Sequence, residues 1–514
     1  MSRSQKSLKN SKVSLVFFIV SFTLSFVSRA IFIRTLGADL LGLNTLLVGI
    51  IGYLNLVEMG VGPAISYSLY KPLRDNDTQK ISEIITLQGW LYKGFSAIII
   101  LGAVILMFFF PNIFKDSNVP INYAYITFVV LVFSNLLGYF YNYKQIVFTA
   151  DMQQHILTKN VQGLTIIKVV LQIIMVYYLP YPYLWWIAME FIFSIIISFN
   201  ISRITKKFYP WLIKSKLGFN TLKKKHSDIL NNTKNIFVHH FSTIVTEKTD
   251  NLIIFSIATL TIITKYNNYM TISMGIVTLI SVIFSGIRDA IGNLITEGNV
   301  NKNMAFFWEF TSIKFYLASV ICCSLYFVYD DFITIWVGRN YLIGSVVKLG
   351  ILANLFISIA RSTDFFLAGY GLFRDVWAVI LEIFLCIILA IILGNLYGLP
   401  GVVFGFFLGK FPIIYLWKPY YLFAAGFNYP VKLFFKKHLA YISLLILPLF
   451  FVIILNKYLI NVFVMNGYVT FILKSSLHFI VFSIFTFLLY YLFIREFKNA
   501  SNRMINTLTK KNIL

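Results

Sequence analysis

Four basic side chains lie inside long apolar stretches of this sequence, and they are its most informative chemical feature. They are Arg29, Lys168, Lys248 and Arg361. A cation at the centre of a hydrocarbon layer costs roughly 2.5–3.5 kcal/mol on insertion scales, so such residues usually face the interior of a helical bundle or a water-filled cavity. We therefore expect an interior that receives an anionic ligand.

Polar residues recur at helical spacing around these cations, which indicates that helices position them. With 3.6 residues per turn, side chains three, four or seven positions apart share one face of a helix. The polar stripes should therefore line a shared hydrated cavity. Serine and threonine stripes can also simply hold helices together, and Arg361 can be neutralised by Asp364 one turn away. The stripes comprise Ser14, Ser21, Ser25 and Ser28 before Arg29; Thr158, Gln162, Thr165 and Gln172 around Lys168; Thr243, Thr246, Asp250 and Asn251 near Lys248; and Asn354, Ser358 and Ser362 around Arg361.

The composition places these stripes in a membrane. Of the 514 residues, 58% are hydrophobic and only 12% are charged. A soluble protein of this length could not cover so much apolar surface, whereas a bilayer can. The chain contains about fourteen apolar runs of the ~20 residues that a membrane helix needs, which predicts an all-α integral membrane protein. The net charge of +24 does not indicate nucleic-acid binding, because the cations flank the runs and no soluble basic domain holds them.

The basic residues also predict the orientation and the domain organisation. Most of the 44 lysines and arginines fall in the termini and in alternate loops, so the positive-inside rule puts both termini in the cytoplasm. The longest loop, 204–233, is predicted to be a basic cytoplasmic linker between an N-terminal lobe, 1–203, and a second lobe, 234–424. About six spans per lobe, an even number, predict two pseudo-repeated lobes related by an axis along the membrane normal. Residues 425–514 supply two additional helices and a basic C-terminal tail.

Two of the apolar runs carry residues that interrupt helices. Run 40–70 is rich in glycine and contains Pro63, and run 398–424 contains Pro412 and Pro419. Membrane helices tolerate such residues where neighbouring groups satisfy the freed backbone, and they bend there. We expect a kink in each run.

Short segments spread over the whole chain carry a resemblance to a known family. In order and spacing they resemble the polysaccharide flippases of the multidrug/oligosaccharidyl-lipid/polysaccharide exporter superfamily, which transport O-antigen and capsule repeat units. The segments are Leu36-Gly-Ala-Asp-Leu-Leu-Gly-Leu-Asn, Glu58-Met-Gly-Val-Gly-Pro-Ala-Ile-Ser, Thr249-Asp-Asn-Leu-Ile-Ile, Tyr266-Asn-Asn-Tyr, Ile335-Trp-Val-Gly, Gly371-Leu-Phe-Arg, Gly398-Leu-Pro-Gly-Val-Val and Trp417-Lys-Pro-Tyr-Tyr-Leu.

The resemblance implies a fold and a cargo. The fold would be two helical lobes around a central cavity that opens to alternate sides of the bacterial cytoplasmic membrane. The cargo would be an undecaprenyl-diphosphate-linked oligosaccharide, with its lipid tail in a groove between spans. Its diphosphate would meet Arg29, Lys168, Lys248 and Arg361, because arginine bonds phosphate in a bidentate manner and lysine supplies a point charge. The family has no catalytic motif and uses no cofactor, and a polysaccharide polymerase and assembly proteins would be its partners.

Three acidic residues inside the predicted spans are candidates for coupling transport to an ion gradient. Asp250, Glu58 and Glu190 could bind a coupling proton or sodium ion, although carboxylates in spans are also structural partners. The adjacent histidines His239 and His240 have no evident third ligand, so no metal site is predicted. A related peptidoglycan-precursor flippase and a multidrug exporter stay open. A membrane glycosyltransferase or polymerase would need a sizeable external loop, which this sequence does not show.

Overall fold

A computed structural model describes residues 3–58, 61–115, 117–227, 229, 249–372, 374–458 and 468–511. These residues are almost entirely helical, and no strand occurs among them. Twelve of their helical stretches are long and apolar enough to cross a membrane. Hydrocarbon offers no partner to a backbone N–H or C=O group, so an apolar chain crosses it as helices, which satisfy those groups internally. The predicted all-α membrane fold is confirmed.

Two segments account for the difference between twelve stretches and the predicted number. Run 40–70 is divided, and its first part, Ala38–Leu54, is an apolar helix that is shorter than the other spans. Of the predicted span 234–258, residues 234–248 lie outside the described part of the chain, and residues 249–257 are helical.

The chain divides into two compact units, Met1–Thr264 and Lys265–Leu514. This division falls inside a helix, whereas the sequence places the lobe boundaries at a linker. The assignment of lobes to 1–203 and 234–424, with the linker 204–233 and the additional helices of 425–514, stays a prediction.

The first unit is built from nine labelled helices and the helical residues 249–257. A core of buried side chains joins α3, α4, α6 and α8 at one end of this unit, and it includes Ile65, Leu87, Phe148 and Ile204. The helices are α1 Arg3–Leu36, α2 Ala38–Leu54, α3 Val61–Arg74, α4 Thr78–Ile113, α5 Ile121–Phe140, α6 Ile146–Ala150, α7 Gln154–Tyr178, α8 Pro182–Phe208 and α9 Phe219–Lys225.

The second run is interrupted as its glycines and proline predict. Helix α2 ends at Leu54, a short 3₁₀ turn covers Asn55–Glu58, and α3 begins at Val61. Amide and phenol groups of α5 surround the interruption. The Asn55 and Asn135 side-chain amides bond each other at 3.3 and 2.5 Å, and the Tyr139 hydroxyl donates to Asn55 Oδ1 at 3.0 Å. These bonds satisfy the polar side chain of Asn55 at the interruption, inside the unit.

The second unit has ten helices among the described residues, the first of which begins just before the division at Thr264. A phenylalanine-rich core, including Phe307, Phe366, Phe423 and Phe434, joins α11, α13, α15 and α16. The helices are α10 Leu260–Thr296, α11 Val300–Trp336, α12 Ser345–Ala360, α13 Thr363–Gly369, α14 Val376–Tyr397, α15 Leu399–Phe427, α16 Lys432–Ser443, α17 Ile446–Tyr458, α18 Tyr468–Phe493 and α19 Arg495–Lys511.

Helices α14 and α15 form a very close antiparallel pair. A Cβ atom added at Gly401 would lie 1.8 Å from the Leu393 carbonyl oxygen, and one at Gly405 would lie 2.5 Å from the Ala390 backbone. Small residues of this kind let the backbones of membrane helices approach each other. Beyond this contact α15 changes its winding, because Pro412–Trp417 and Leu422–Phe427 are π-helical. The predicted irregularity of run 398–424 is therefore a pair of π-helical stretches rather than a break.

The C-terminal tail is a helix that binds the rest of its unit. Helix α19 packs along α11 and α18 and buries Phe497 and Ala500. Arg503 pairs with Glu309 of α11 at 3.1 Å, and Glu496 pairs with Lys437 of α16. The sequence predicted a basic tail here, and the alternation of apolar and basic residues folds it into an amphipathic helix.

Candidate functional site

The structure places three of the four predicted cations, because Lys248 lies outside the described residues. Arg29 on α1 and Lys168 on α7 belong to the first unit, and Arg361 belongs to the second. Each of them has a different set of partners.

Arg29 is half-buried near the end of the polar stripe of α1. Its Nη2 atom donates to the Thr264 carbonyl at 3.4 Å, a long hydrogen bond. The Ser21 hydroxyl of the same stripe donates to the Gln162 side chain of α7 at 3.5 Å. The two polar stripes of the first unit therefore face each other, and Arg29 carries the positive charge of that surface.

Lys168 is held by a carboxylate of the neighbouring helix. Its ammonium donates to both oxygens of Glu190 on α8, at 2.7 and 2.9 Å. Gln172 adds hydrogen bonds to Glu190 Oε1 at 3.2 Å and to the Trp186 carbonyl at 3.1 Å. The charge of Lys168 is therefore balanced within the unit, and Glu190 is its partner. An isolated cation and an isolated acid would each be costly here, and pairing removes most of that cost.

Glu58 lies at the interruption between α2 and α3. The Tyr92 hydroxyl of α4 donates to Glu58 Oε1 at 2.5 Å. Tyr139, Asn55 and Asn135 lie beside it in the network described above. Among the described residues, no cation forms an ion pair with Glu58. The surroundings of Glu58 are neutral oxygen and amide groups. Oxygen ligands suit a small hard cation, and a carboxylate without a cationic partner can take up a proton.

Asp250 is buried in the helical residues 249–257. Its Oδ1 atom accepts a hydrogen bond from the Asn251 backbone at 2.7 Å. The adjacent Thr249 hydroxyl is hydrogen-bonded to the Tyr53 hydroxyl of α2. This third predicted acid thus lies next to the contact that Thr249 makes between the described part of the seventh span and α2.

Arg361 marks a break in a second helix. Helix α12 ends at Ala360, Arg361 has an extended backbone with ψ 105°, and α13 begins at Thr363. Within the break, the Ser362 hydroxyl is hydrogen-bonded to the Thr311 hydroxyl of α11 at 2.7 Å. Arg361 forms the ion pair with Asp364 that the i,i+3 spacing predicts. The guanidinium is therefore held at an opened turn, with one carboxylate against it.

Two lysines that the sequence reasoning missed complete this cluster. Lys418 of α15 binds Asp364 Oδ1 at 2.9 Å, and Lys314 of α11 donates to the Arg361 carbonyl at 2.5 Å. Both lysines are buried. Among the described residues, Asp364 is the carboxylate that pairs with Arg361 and Lys418. Three cations thus gather around one carboxylate, which leaves the cluster with surplus positive charge.

Lys314 also lies among aromatic rings. Its Nζ atom is 4.8 Å from the centre of the Phe365 ring, 5.6 Å from Phe310 and 5.8 Å from Phe284. The negative faces of these rings stabilise a desolvated cation. Lys314 is the fourth residue of the apolar run 311–329, and this position is the signal that could have found it. Its nearness to the end of the run suggested an interfacial lysine instead. Lys418 was visible in the Trp417-Lys-Pro segment, but nothing there indicated which acid it meets.

The second unit also contains a large apolar cavity. It has a volume of about 830 Å³ and lies between α11, α12, α15, α16 and α17. Its lining is almost wholly hydrocarbon and aromatic, and includes Phe315, Leu352, Phe356, Phe411, Tyr415 and His438. Such a lining suits a hydrocarbon chain and offers almost nothing to a polar ligand.

The described residues also show what holds the segment after α8. The Tyr209 hydroxyl donates to Asp151 Oδ2 at 3.0 Å, and burial together with the Asp151 charge raises the pKa of Tyr209. No three His, Cys, Asp or Glu side chains of the described part gather in a way that could hold a metal ion. His239 and His240 lie outside that part.

Comparison with known proteins gives the fold class. No family model matches the sequence, and no curated protein matches it either. Among solved structures, the lipid II flippase MurJ in an inward closed conformation superposes with a TM-score of 0.67 at 16% identity, covering 94% of this chain and 100% of that chain. An inward-facing multidrug resistance MATE family transporter of the MOP superfamily gives 0.62 at 15% identity, covering 80% of this chain and 98% of that one.

A third structure extends the comparison. A MOP superfamily transporter from Pyrococcus furiosus, described as having a binding pocket of reverse polarity, gives a TM-score of 0.53 at 13% identity, covering 82% of this chain and 96% of that chain. At such identities the likeness concerns the fold. The chain has the fold of MOP superfamily transporters.

Proposed function

We propose that this protein flips an undecaprenyl-diphosphate-linked oligosaccharide repeat unit across the bacterial cytoplasmic membrane by alternating access, for O-antigen or capsule biosynthesis. The observation that carries the proposal is the cluster of Lys314, Arg361 and Lys418 around Asp364. Surplus positive charge on spanning helices suits a doubly anionic diphosphate far better than a cationic drug. The likeness of the fold to a lipid II flippase supports the same class of cargo.

The cluster can exchange partners with a diphosphate. Arg361 presents a planar fork that matches phosphate oxygens, and Lys314 and Lys418 add point charges. Arg361 and Lys418 bind Asp364, and Lys314 binds the Arg361 carbonyl. A diphosphate would take the place of these partners. Arg29, Lys168 and the undescribed Lys248 are proposed as further contacts along the route. Of these, Lys168 must share its charge with Glu190.

The lipid tail needs a separate place. We assign it to the apolar cavity of about 830 Å³ in the second unit, because each buried CH₂ group gains roughly 0.8 kcal/mol over exposure to water. Cation cluster and apolar cavity belong to the same unit, since both are lined by α11, α12 and α15.

Glu58, Asp250 and Glu190 are the proposed sites for a coupling proton or sodium ion. Glu58 fits this role best, since oxygen and amide groups surround it and Glu190 already binds Lys168. We place both termini in the cytoplasm on the positive-inside rule. A polysaccharide polymerase and assembly proteins would receive the cargo, and the protein itself would perform no covalent chemistry.

Deletion of the gene tests this proposal directly. We expect the cell to lose surface polysaccharide and to accumulate lipid-linked repeat units on the cytoplasmic leaflet, measured by extraction and by access of a lectin in intact cells and in inverted vesicles. Deletion that leaves surface glycans intact but raises sensitivity to cationic drugs would replace this proposal by a drug-exporter function.

A second candidate is the flipping of a lipid-linked peptidoglycan precursor. The observation that favours it is coverage, since the MurJ structure aligns with 94% of this chain and the MATE structures with 80–82%. The cargo would again be anionic, so the cation cluster does not separate the two candidates. Expression in cells depleted of their own lipid II flippase separates them: rescue of growth supports the second candidate, and lysis without rescue supports the first.

A further inference from the structure

The first unit contains a polar cavity that is separate from the residues discussed so far. It has a volume of about 770 Å³, within the ~300–1,000 Å³ typical of small-molecule sites. It lies between the end of α3, the turn into α4, the first turns of α4 and the chain after α9. Its lining includes Tyr67, Tyr70, Lys71, Asp77, Lys80 and Lys225.

The floor of this cavity is a fixed charge network. Glu83 of α4 is buried and binds Lys225 at 2.8 Å and His226 at 3.1 Å. Gln79 also donates to Glu83 at 3.3 Å. The Thr86 hydroxyl, one turn further along α4, accepts the Ser215 backbone N–H at 2.9 Å. The segment after α8 is thereby tied to α4, and the Glu83 charge is compensated.

Two further lysines give the cavity its charge. Lys71 and Lys80 are exposed, and in the described part of the chain neither ammonium forms an ion pair. The other carboxylate, Asp77, is the N-cap of α4, and its Oδ1 atom accepts the Lys80 backbone N–H at 2.9 Å. The lining carries the lysines Lys71, Lys80 and Lys225 against the carboxylates Asp77 and Glu83, so its balance is positive and it attracts an anion. A lysine ammonium binds a phosphate as a point charge.

An aromatic platform stands beside these cations. Tyr67 and Tyr70 are 67% and 52% exposed, and their ring centroids are 6.0 Å apart. Their spacing of three residues puts them on one face of α3, and Lys71 follows Tyr67 by one turn. The negative face of an aromatic ring attracts the weakly positive C–H hydrogens on the flat side of a sugar ring. Aromatic faces next to cations are the surface that a sugar phosphate requires.

We propose that this cavity binds the glycosyl diphosphate head of the transported lipid as a first contact, before the head reaches the cations of the spans. Lys71 and Lys80 bind the diphosphate. The rings of Tyr67 and Tyr70 are T-shaped to each other, with 73° between their planes, so one ring stacks on the first sugar and the other borders it. This inference rests on the proposed function. It also agrees with the positive-inside rule, which puts Lys71, Lys80 and Lys225 on the side where the cargo would load.

The test uses the full chain in nanodiscs of phosphatidylcholine and a soluble glycosyl diphosphate, UDP-glucose, titrated by calorimetry. We expect the double variant Lys71→Gln and Lys80→Gln to bind UDP-glucose at least tenfold more weakly than the unaltered protein. The matched control is Lys216→Gln with Lys223→Gln, which removes the same charge from exposed positions outside the cavity. It should bind as the unaltered protein does. Equal affinity of the two double variants would overturn the proposal.

The sugar contact is tested with the methyl ester of UDP, whose diphosphate is esterified at both ends as in UDP-glucose and carries the same charge without the sugar. We expect the unaltered protein to bind UDP-glucose about fivefold more tightly than the methyl ester. The variant Tyr67→Ala with Tyr70→Ala should abolish that difference while its thermal unfolding stays unchanged. A difference that survives in the tyrosine variant overturns the aromatic platform.

A last arm separates the cargo from ordinary membrane lipid. Replacing a third of the phosphatidylcholine by phosphatidylglycerol should leave UDP-glucose binding within twofold; complete loss would make an anionic lipid headgroup the occupant and overturn the proposal. Flipping of lipid-linked oligosaccharide in proteoliposomes is measured in parallel. Lysine-dependent UDP-glucose binding without any flipping would contradict the proposed function and support the cavity as a glycosyl diphosphate site. Flipping without lysine-dependent binding would support the proposed function and contradict the proposal for the cavity.

Discussion

Each unit of the molecule contains an interrupted membrane helix, and the two interruptions hold opposite charges. In the first unit the break at Asn55–Glu58 holds a carboxylate among phenols and amides. In the second unit the break at Arg361 holds a guanidinium among two lysines and the carboxylate of Asp364. An opened turn frees backbone groups and lets a short segment present a charge that a continuous helix would hide. The side chains around the break then decide whether it suits a cation or an anion.

The largest expected effect comes from the positive break. Arg361→Ala should reduce flipping in proteoliposomes by about ten- to a hundredfold, since charge-assisted hydrogen bonds contribute ~1.5–3 kcal/mol each. Arg361→Lys, which keeps the charge but loses the fork, should retain part of the activity. Asp364 keeps Lys418 as a partner in both variants, so protein levels should match. Full flipping activity of Arg361→Ala would contradict the proposal that the second unit binds the anionic cargo at Arg361.

Arg29 extends the comparison to a cation on an unbroken helix. Arg29→Ala removes a charge-assisted hydrogen-bond donor from the polar stripe of α1, so we expect flipping to fall about tenfold, whereas Arg29→Lys should keep partial activity. Cysteine at position 29 should react with a small polar thiol reagent in intact cells, and cysteine at the buried Ile99 should not. Equal, negligible labelling at both positions would indicate that Arg29 serves packing.

The negative break should respond in a different way. Glu58→Gln keeps the hydrogen bond with Tyr92 but cannot bind a proton or sodium ion as a carboxylate does. We expect flipping to lose its dependence on a proton or sodium gradient and to fall severalfold, with cargo binding unchanged. Tyr92→Phe is the matched control, because it removes the hydrogen bond and leaves the charge. If flipping by Glu58→Gln still depends on the gradient, Glu58 is not the coupling residue, and Asp250 becomes the candidate.

The smallest expected effect on transport comes from the balanced pair of Lys168 and Glu190. Lys168→Met alone leaves a half-buried carboxylate and should destabilise the protein by about 1–3 kcal/mol, seen as a lower melting temperature in detergent. Lys168→Met with Glu190→Met should recover most of that stability, since apolar replacement of both partners is often neutral. Flipping by the double variant should stay within about twofold of the unaltered protein. Lys168 shares its charge with Glu190 and would therefore add only a weak contact to the cargo. A tenfold loss in a stable double variant would show that Lys168 is a main contact instead.

The sequence predicted features that a single helix determines. The membrane spans follow from apolar length, the break after Leu54 follows from glycine and proline, and the Arg361–Asp364 pair follows from i,i+3 spacing. The sequence could not predict which side chains of different helices contact each other. Lys168 meets Glu190 across 22 residues and Lys314 meets Arg361 across 47, and periodicity says which face a residue occupies but not which helix lies opposite.

The close contact of α14 with α15 has a mechanical consequence. Because Gly401 and Gly405 bring the two backbones together without side chains between them, the pair has no layer of flexible atoms in which to slide. The two helices should therefore move as one rigid body in any cycle of opening and closing. Bending is left to the π-helical stretch at the far end of α15, Pro412–Trp417 and Leu422–Phe427, where the winding is looser and a turn can be gained or lost cheaply. Lys418 lies between those two stretches, so a change of pitch there would swing its ammonium towards or away from Asp364.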